Sequence, residues 1–105
     1  MELESVVMEL IINAGDARSN SMEALRYARQ QKWDGAENAL KAATDSIRVA
    51  HHIQTSLISE DEGCGKIPVN LIMVHAQDHL MNAMLCRELA EEIIFLHKQL
   101  ASVNS

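Results

Sequence analysis

Apolar residues recur every three and four positions along three long stretches of the chain. In the first, Leu3, Val7, Leu10, Ala14, Ala17, Ser21, Ala24 and Ala28 alternate steps of four and three. Such a heptad seam predicts a helix with one buried face. Gly15 lowers helix propensity there by about 1 kcal/mol relative to alanine. Asn20 followed by Glu23 offers an alternative helix start. The seam keeps its phase through both positions, so one continuous helix is expected. A turn follows near 30–35, where Asp34 and Glu37 have the spacing of an N-terminal capping box. A second helix then carries Ala36, Leu40, Ala43, Ile47, Ala50, Gln54 and Leu57 on one seam. It fades into the polar, glycine-containing stretch Ser59-Glu60-Asp61-Glu62-Gly63-Cys64-Gly65. Pro68 suits the first turn of a third helix. That helix runs to about Ala101, on the order of 50 Å at 1.5 Å per residue.

The third helix carries two stripes. Ile72, Ala76, His79, Ala83, Cys86, Ala90, Ile93, His97 and Leu100 form one, and Leu71, His75, Asp78, Asn82, Leu85, Leu89 and Leu96 the other. Two stripes imply two buried faces, one closing the bundle and one free to meet another subunit. No strand signal and no sequence repeat is visible. Two short connections between long helices predict an all-α, antiparallel, up-down-up three-helix bundle, with residues 1–105 as a single domain.

Composition sharpens this picture. Trp33, Tyr27 and Phe95 are the only large aromatic residues, and the apolar positions are mostly Ala, Leu, Ile, Val and Met. Small side chains bury little area each, so a long thin monomer is marginal and oligomerisation is expected. The net charge is −6, which with so few rings argues against nucleic-acid binding. No run has the length of a membrane span. Met1-Glu2-Leu3-Glu4 lacks the basic region of a secretory signal. Cys64 and Cys86 form no CxxC pair, and reduced thiols in a cytoplasmic protein are the simple reading.

The densest chemistry is Val74-His75-Ala76-Gln77-Asp78-His79-Leu80-Met81, set within an apolar run from Val69 to Leu100. His75 shares a helix face with Asp78 and His79, while Gln77 points elsewhere. Three readings apply. His75 and His79 have the spacing of a zinc-binding pair, yet Ala76 stands where His-Glu-x-x-His needs its glutamate. An imidazole whose tautomer is fixed by a neighbour is a nucleophile near pH 7, suited to phosphoryl transfer. Two satisfied core histidines are the plain structural reading. Asp78 either hydrogen-bonds His75 or lies on an oligomer seam, where like carboxylates must share protons or a cation. Gln54 falls on the second helix's seam, where a lone polar residue often sets register. His51 is a core histidine or a site wall, whereas His52 and His97 read as surface or edge residues. Cys64 has no base beside it in sequence, and the six methionines read as core filler.

At these residues the chain resembles the lactose/cellobiose-type enzyme IIA proteins of the bacterial phosphoenolpyruvate-dependent sugar phosphotransferase system. Val74–Met81 is similar to the family's signature. Ile11-Ile12-Asn13-Ala14-Gly15-Asp16-Ala17-Arg18-Ser19 resembles its first helix, and Ala50-His51-His52-Ile53-Gln54-Thr55-Ser56-Leu57-Ile58 its second. Val6-Val7-Met8 leans towards the N,N'-diacetylchitobiose branch. The Glu60–Pro68 loop is not distinctive. The resemblance implies a cytoplasmic phosphocarrier, assembled as a homotrimer. Such a protein takes a phosphoryl group from phospho-HPr and passes it to a cysteine of the cognate IIB component. IIB then phosphorylates a disaccharide entering through the IIC permease, so contact with the membrane is indirect. The resemblance further implies that His75 is phosphorylated through Nε2, that Gln77, His79, His51 and Gln54 line the site, and that three copies of Asp78 share one Mg²⁺ per trimer. Oxygen ligands suit that cation better than imidazoles do. A histidine-phosphotransfer bundle of a two-component system and a metal-binding structural bundle are the alternative readings.

Overall fold

The computed structural model describes residues 2–104. Three helices, α1 (Leu3–Arg29), α2 (Trp33–Asp61) and α3 (Leu71–Asn104), make a rod of 58 × 20 × 20 Å. Helix α1 packs along both other helices, whereas α2 and α3 touch each other much less. The predicted seam of α1 is the observed one: Val7, Leu10, Ala14, Ala17, Ser21, Ala24 and Ala28 are buried. The helix runs unbroken through Gly15 and Asn20. Ser21 meets its burial cost by donating its hydroxyl to the carbonyl of Ala17 at 2.8 Å. On α2, Ala36, Leu40, Ala43, Ala50 and Leu57 are buried as expected, while Ile47 and Gln54 are half-buried. With so many alanines in contact, the helix axes approach closely. Bulk comes from a few larger residues, among them Leu10, Leu57, Met73, Leu80 and Ile94.

Both expected helix starts are corrected. Trp33 opens α2, with Lys32 at the N-cap and no side-chain cap. Asp34 and Glu37 therefore form no capping box. Glu37 instead meets Lys98 of α3, Nζ donating to Oε1 at 3.3 Å, and the same ammonium lies 5.9 Å from the Trp33 ring centroid. The tertiary partner outcompetes the local one. The turn closes through Gln31, whose φ of 58° is left-handed, and through the Lys32 amide donating to the Tyr27 carbonyl at 2.9 Å. Pro68 lies outside α3. The helix starts at Leu71, and Asn70 caps it by accepting the Met73 amide on Oδ1 at 3.0 Å. In the preceding loop, the Asp61 carboxylate accepts the amides of Ile67 at 2.9 Å and Gly65 at 3.3 Å.

The first α3 stripe is also corrected. The buried seam is Met73, Ala76, Leu80, Ala83, Ala90 and Ile94, and it shares only Ala76, Ala83 and Ala90 with the expected set. Ile72, Ile93 and Leu100 are exposed. Arg87 takes the seam position between Ala83 and Ala90, donating from Nε to Thr44 of α2 at 3.0 Å and pairing with Glu91. Residues of the second stripe, Leu71, His75, Asp78, Asn82, Leu85, Leu89 and Leu96, are all exposed in the single chain.

One glycine in the bundle has a packing reason. A Cβ at Gly35 would stand 2.7 Å from Tyr27 Cδ1 and 2.9 Å from Cγ and Cε1. Tyr27 lies flat against the α2 backbone there, with no flexible tip to yield. Gly35→Ala is expected to lower stability by up to about 2 kcal/mol, since overpacking of about 1–3 kcal/mol is offset by a gain in helix propensity of about 1 kcal/mol. Urea unfolding followed by circular dichroism checks this, and an unchanged or raised midpoint would overturn it.

Candidate functional site

Helix α3 positions the chemistry. His75 sits in its second turn and is exposed; His79, one turn on, is half-buried. Their rings stack, with centroids 5.4 Å apart and planes 21° from parallel. The His79 ring leans on α1 beside Gly15, where an added Cβ would lie 3.6 Å from its Nε2. Sequence reading took Gly15 only as a weak point in a helix. Its second role is room: a side chain larger than a methyl would push into the ring that supports His75. The signal was available as a glycine beside a buried seam residue, Ala14, but nothing in the sequence says which ring fills the space.

Asp78 is exposed, and its side chain makes no hydrogen bond or ion pair among the described residues. The hydrogen bond to His75 open to it on sequence grounds is not formed. A carboxylate without a partner, on a stripe otherwise rich in leucine, is left to neighbours outside the chain.

Gln77 is turned away from His75, towards α2. Its Oε1 accepts a hydrogen bond from Gln54 Nε2 at 2.8 Å, and its Nε2 lies 3.5 Å from the Met73 sulfur. Gln54 thereby finds the partner that its seam position required. This carboxamide bridge ties α2 to α3 where the two helices otherwise meet sparingly. His51, one turn before Gln54, is exposed, as is His52; His97 is half-buried. The structure therefore brings together His75, Asp78 and His79 on one flank of α3, and Gln54 and Gln77 on another. A rotation of about 100° per residue separates the two flanks.

Exposed apolar residues adjoin the imidazole. Leu71 (86% exposed), one turn before His75, and Val74 (51%) are open to solvent. Beside them a hollow between the end of α2 and the start of α3 is walled by Leu57, Ile58, Ile67, Val69 and Met73. Contiguous exposed apolar surface rimmed by polar groups marks a protein contact more often than a small-molecule pocket. Among the described residues, no three His, Cys, Asp or Glu side chains come together as a metal centre. Cys64 is exposed in the loop, and half-buried Cys86 rests 4.0 Å from the Met22 sulfur; neither has a base beside it. No helix among the described residues is long and apolar enough to cross a membrane. Chemically, the flank offers one accessible imidazole, oriented by its stack on a second.

Comparison with known proteins adds four findings. Residues 5–98 match the family described as PTS system, lactose/cellobiose specific IIA subunit. The chain is 50% identical over 99 residues to the N,N'-diacetylchitobiose-specific EIIA component of Escherichia coli (strain K12), covering 94% of this chain and 85% of that protein. It is similar to the crystal structure of the cellobiose-specific enzyme IIA from Bacillus anthracis, with a TM-score of 0.91, 44% identity, and 97% and 94% of the two chains covered. It is also similar to the IIA(chitobiose) structure solved in complex with HPr from the Escherichia coli phosphotransferase system, with a TM-score of 0.84, 48% identity, and 96% and 98% covered.

Proposed function

The chain belongs to the lactose/cellobiose-specific IIA family of the sugar phosphotransferase system, and from that premise we propose that His75 is its phosphoryl-carrying residue. The carrying observation is the exposed His75 imidazole, held in place by its stack on His79. As a IIA component, the protein accepts a phosphoryl group from phospho-HPr and delivers it to IIB. That places it in the phosphorelay and leaves the two-component and metal-storage readings without support.

In the first step a ring nitrogen of His75, taken as Nε2, attacks phosphorus in line. One P–N bond forms as the donor's P–N bond breaks, and the donor imidazole leaves with the electron pair. In the second step a IIB cysteine thiolate attacks, so a P–S bond replaces the P–N bond and His75 recovers its lone pair. Such transfer asks for positioning and charge stabilisation more than for covalent work by the protein. His79 supplies positioning. The bridge of Gln54 and Gln77, with His51 beside it, lines the α2-facing rim on which partners dock. Val74, next to His75 and 51% exposed, supplies apolar contact area that donor and acceptor occupy in turn.

The second α3 stripe serves assembly into a homotrimer. Each Asp78 would then lie near two others, and these oxygen-donor carboxylates would suit one divalent cation such as Mg²⁺. Such a cation would neutralise the charge gathered there. The protein works in the cytoplasm, serving uptake of a disaccharide of the N,N'-diacetylchitobiose class, the class its 50%-identical relative is specific for.

The test is intact mass before and after incubation with phosphoenolpyruvate, enzyme I and HPr. One acid-labile phosphoryl group per chain, mapped to His75, is expected. No gain in mass, with a known IIA protein phosphorylated in parallel, would overturn the assignment.

A further inference from the structure

The exposed stripe of α3 steps through Leu71, His75, Asp78, Asn82, Leu85 and Leu89 in alternating threes and fours. Continued at the same spacing, the next two positions are Glu92 and Leu96. Glu92 is exposed and makes no ion pair or hydrogen bond through its side chain. Its neighbours are committed elsewhere: Arg87 pairs with Glu91, and Lys98 with Glu37. Around Glu92, Leu89, Ile93 and Leu96 expose 52%, 40% and 58% of their surface. An unpaired carboxylate thus stands in the middle of a leucine surface, about 21 Å along the helix from Asp78 at 1.5 Å per residue.

Resting on the homotrimer reading above, we propose that Glu92 forms a second carboxylate layer at the three-fold axis, which keeps the assembly of three copies weak enough to come apart on dilution. The two acidic layers differ. Asp78 lies between the polar residues His75 and Asn82, where water and a cation have access. Glu92 lies between leucine layers, which take water away from it on assembly. A polar residue in a coiled-coil seam costs stability and fixes register; a carboxylate buried without a partner costs more. On α3 the charged groups next to this layer are Glu88, which adds to the repulsion, and Glu91, whose charge Arg87 compensates. Helix α1 brings Arg29 to the level of Ile93, because Gly15 lies beside His79 and Met22 beside Cys86.

Sedimentation equilibrium with Mg²⁺ present tests this on the full chain, comparing wild type with Glu92→Leu, Glu92→Gln and an off-seam control, Glu60→Gln. Both Glu92 variants are expected to trimerise at concentrations at least tenfold lower than wild type, with the control unchanged. Phosphoryl uptake at concentrations where all are trimeric stays the same. Glu92→Gln keeps the side chain's size, so its gain reports charge rather than added apolar surface. A wild-type trimer that the Glu92 variants leave unchanged, or weaken, overturns the proposal; weakening would mean that Glu92 pairs with a cation across the interface, with Arg29 the nearest. If every chain stays monomeric, the homotrimer reading fails, and this proposal with it.

Discussion

His75→Ala takes up no phosphoryl group from phospho-HPr, and transfer to IIB falls to background. The expectation follows from exposure and from the lack of a substitute. His79 is the nearest other imidazole, but its ring is half-buried against α1 beside Gly15. A donor phosphohistidine approaching the His75 flank cannot align with it in line. Removing an exposed ring leaves the core intact, so the helical circular dichroism signal should not change. His79→Ala gives the contrast. It keeps the nucleophile and removes the stack, an interaction of about 0.5–1.5 kcal/mol for aromatic pairs. At about 1.4 kcal/mol per factor of ten, phosphoryl uptake should slow by about two- to tenfold without being lost. Quenched-flow phosphorylation with intact-mass readout separates the two variants. Retained uptake in His75→Ala would move the carrier role to another residue.

Asp78→Leu frees the trimer from its need for a divalent cation. If three Asp78 carboxylates meet at the axis, as proposed above, each pair of like charges 4 Å apart would repel by about 4 kcal/mol at an effective dielectric constant of 20. A bound divalent cation would cancel that repulsion. Adding EDTA should therefore dissociate the wild-type trimer by at least tenfold in concentration, whereas Asp78→Leu should sediment as a trimer with or without chelator. Leucine at 78 extends the seam of Leu71, Leu85 and Leu89 through the position. If Asp78→Leu sediments as a monomer, the cation acts as a bridge that the assembly requires, and the carboxylates are structural ligands. If wild type ignores EDTA, Asp78 does not hold a cation that matters to assembly.

These two predictions rest on positions that differ in how they can be read. The stretch His75–His79 stands out in the sequence because four polar residues interrupt an apolar helix. The stacking of His75 on His79 follows from their spacing of four. The place of Gln77 does not follow from spacing alone. Helical geometry says that it faces away from His75, but only the packing of α2 brings Gln54 to its Oε1. The same holds for Glu37. Its spacing from Asp34 suggested a cap, and Lys98, far away in the chain, took it instead. Pro68 carries the more familiar start signal, but Asn70, with its side-chain oxygen on the amide three residues on, is the cap that α3 uses.

What the sequence by itself determined was the number of helices, their order, and the buried seams of α1 and α2. On α1 and α2 the regular alanine-rich seam marks one face as the tightly packed one, although Met8, Ile12, Met22, Val49 and Ile58 stay exposed off it. Helix α3 is different. It is apolar on several faces, so its periodicity is compatible with more than one rotation about its own axis. Only the tertiary structure decided that Met73, Leu80 and Ile94 point inward, because the alanine-lined groove left by α1 and α2 has room for a few large side chains at those levels. That one rotation sets Leu71, Asp78, Leu85 and Leu89 outward, lays His79 beside Gly15, and leaves His75 exposed.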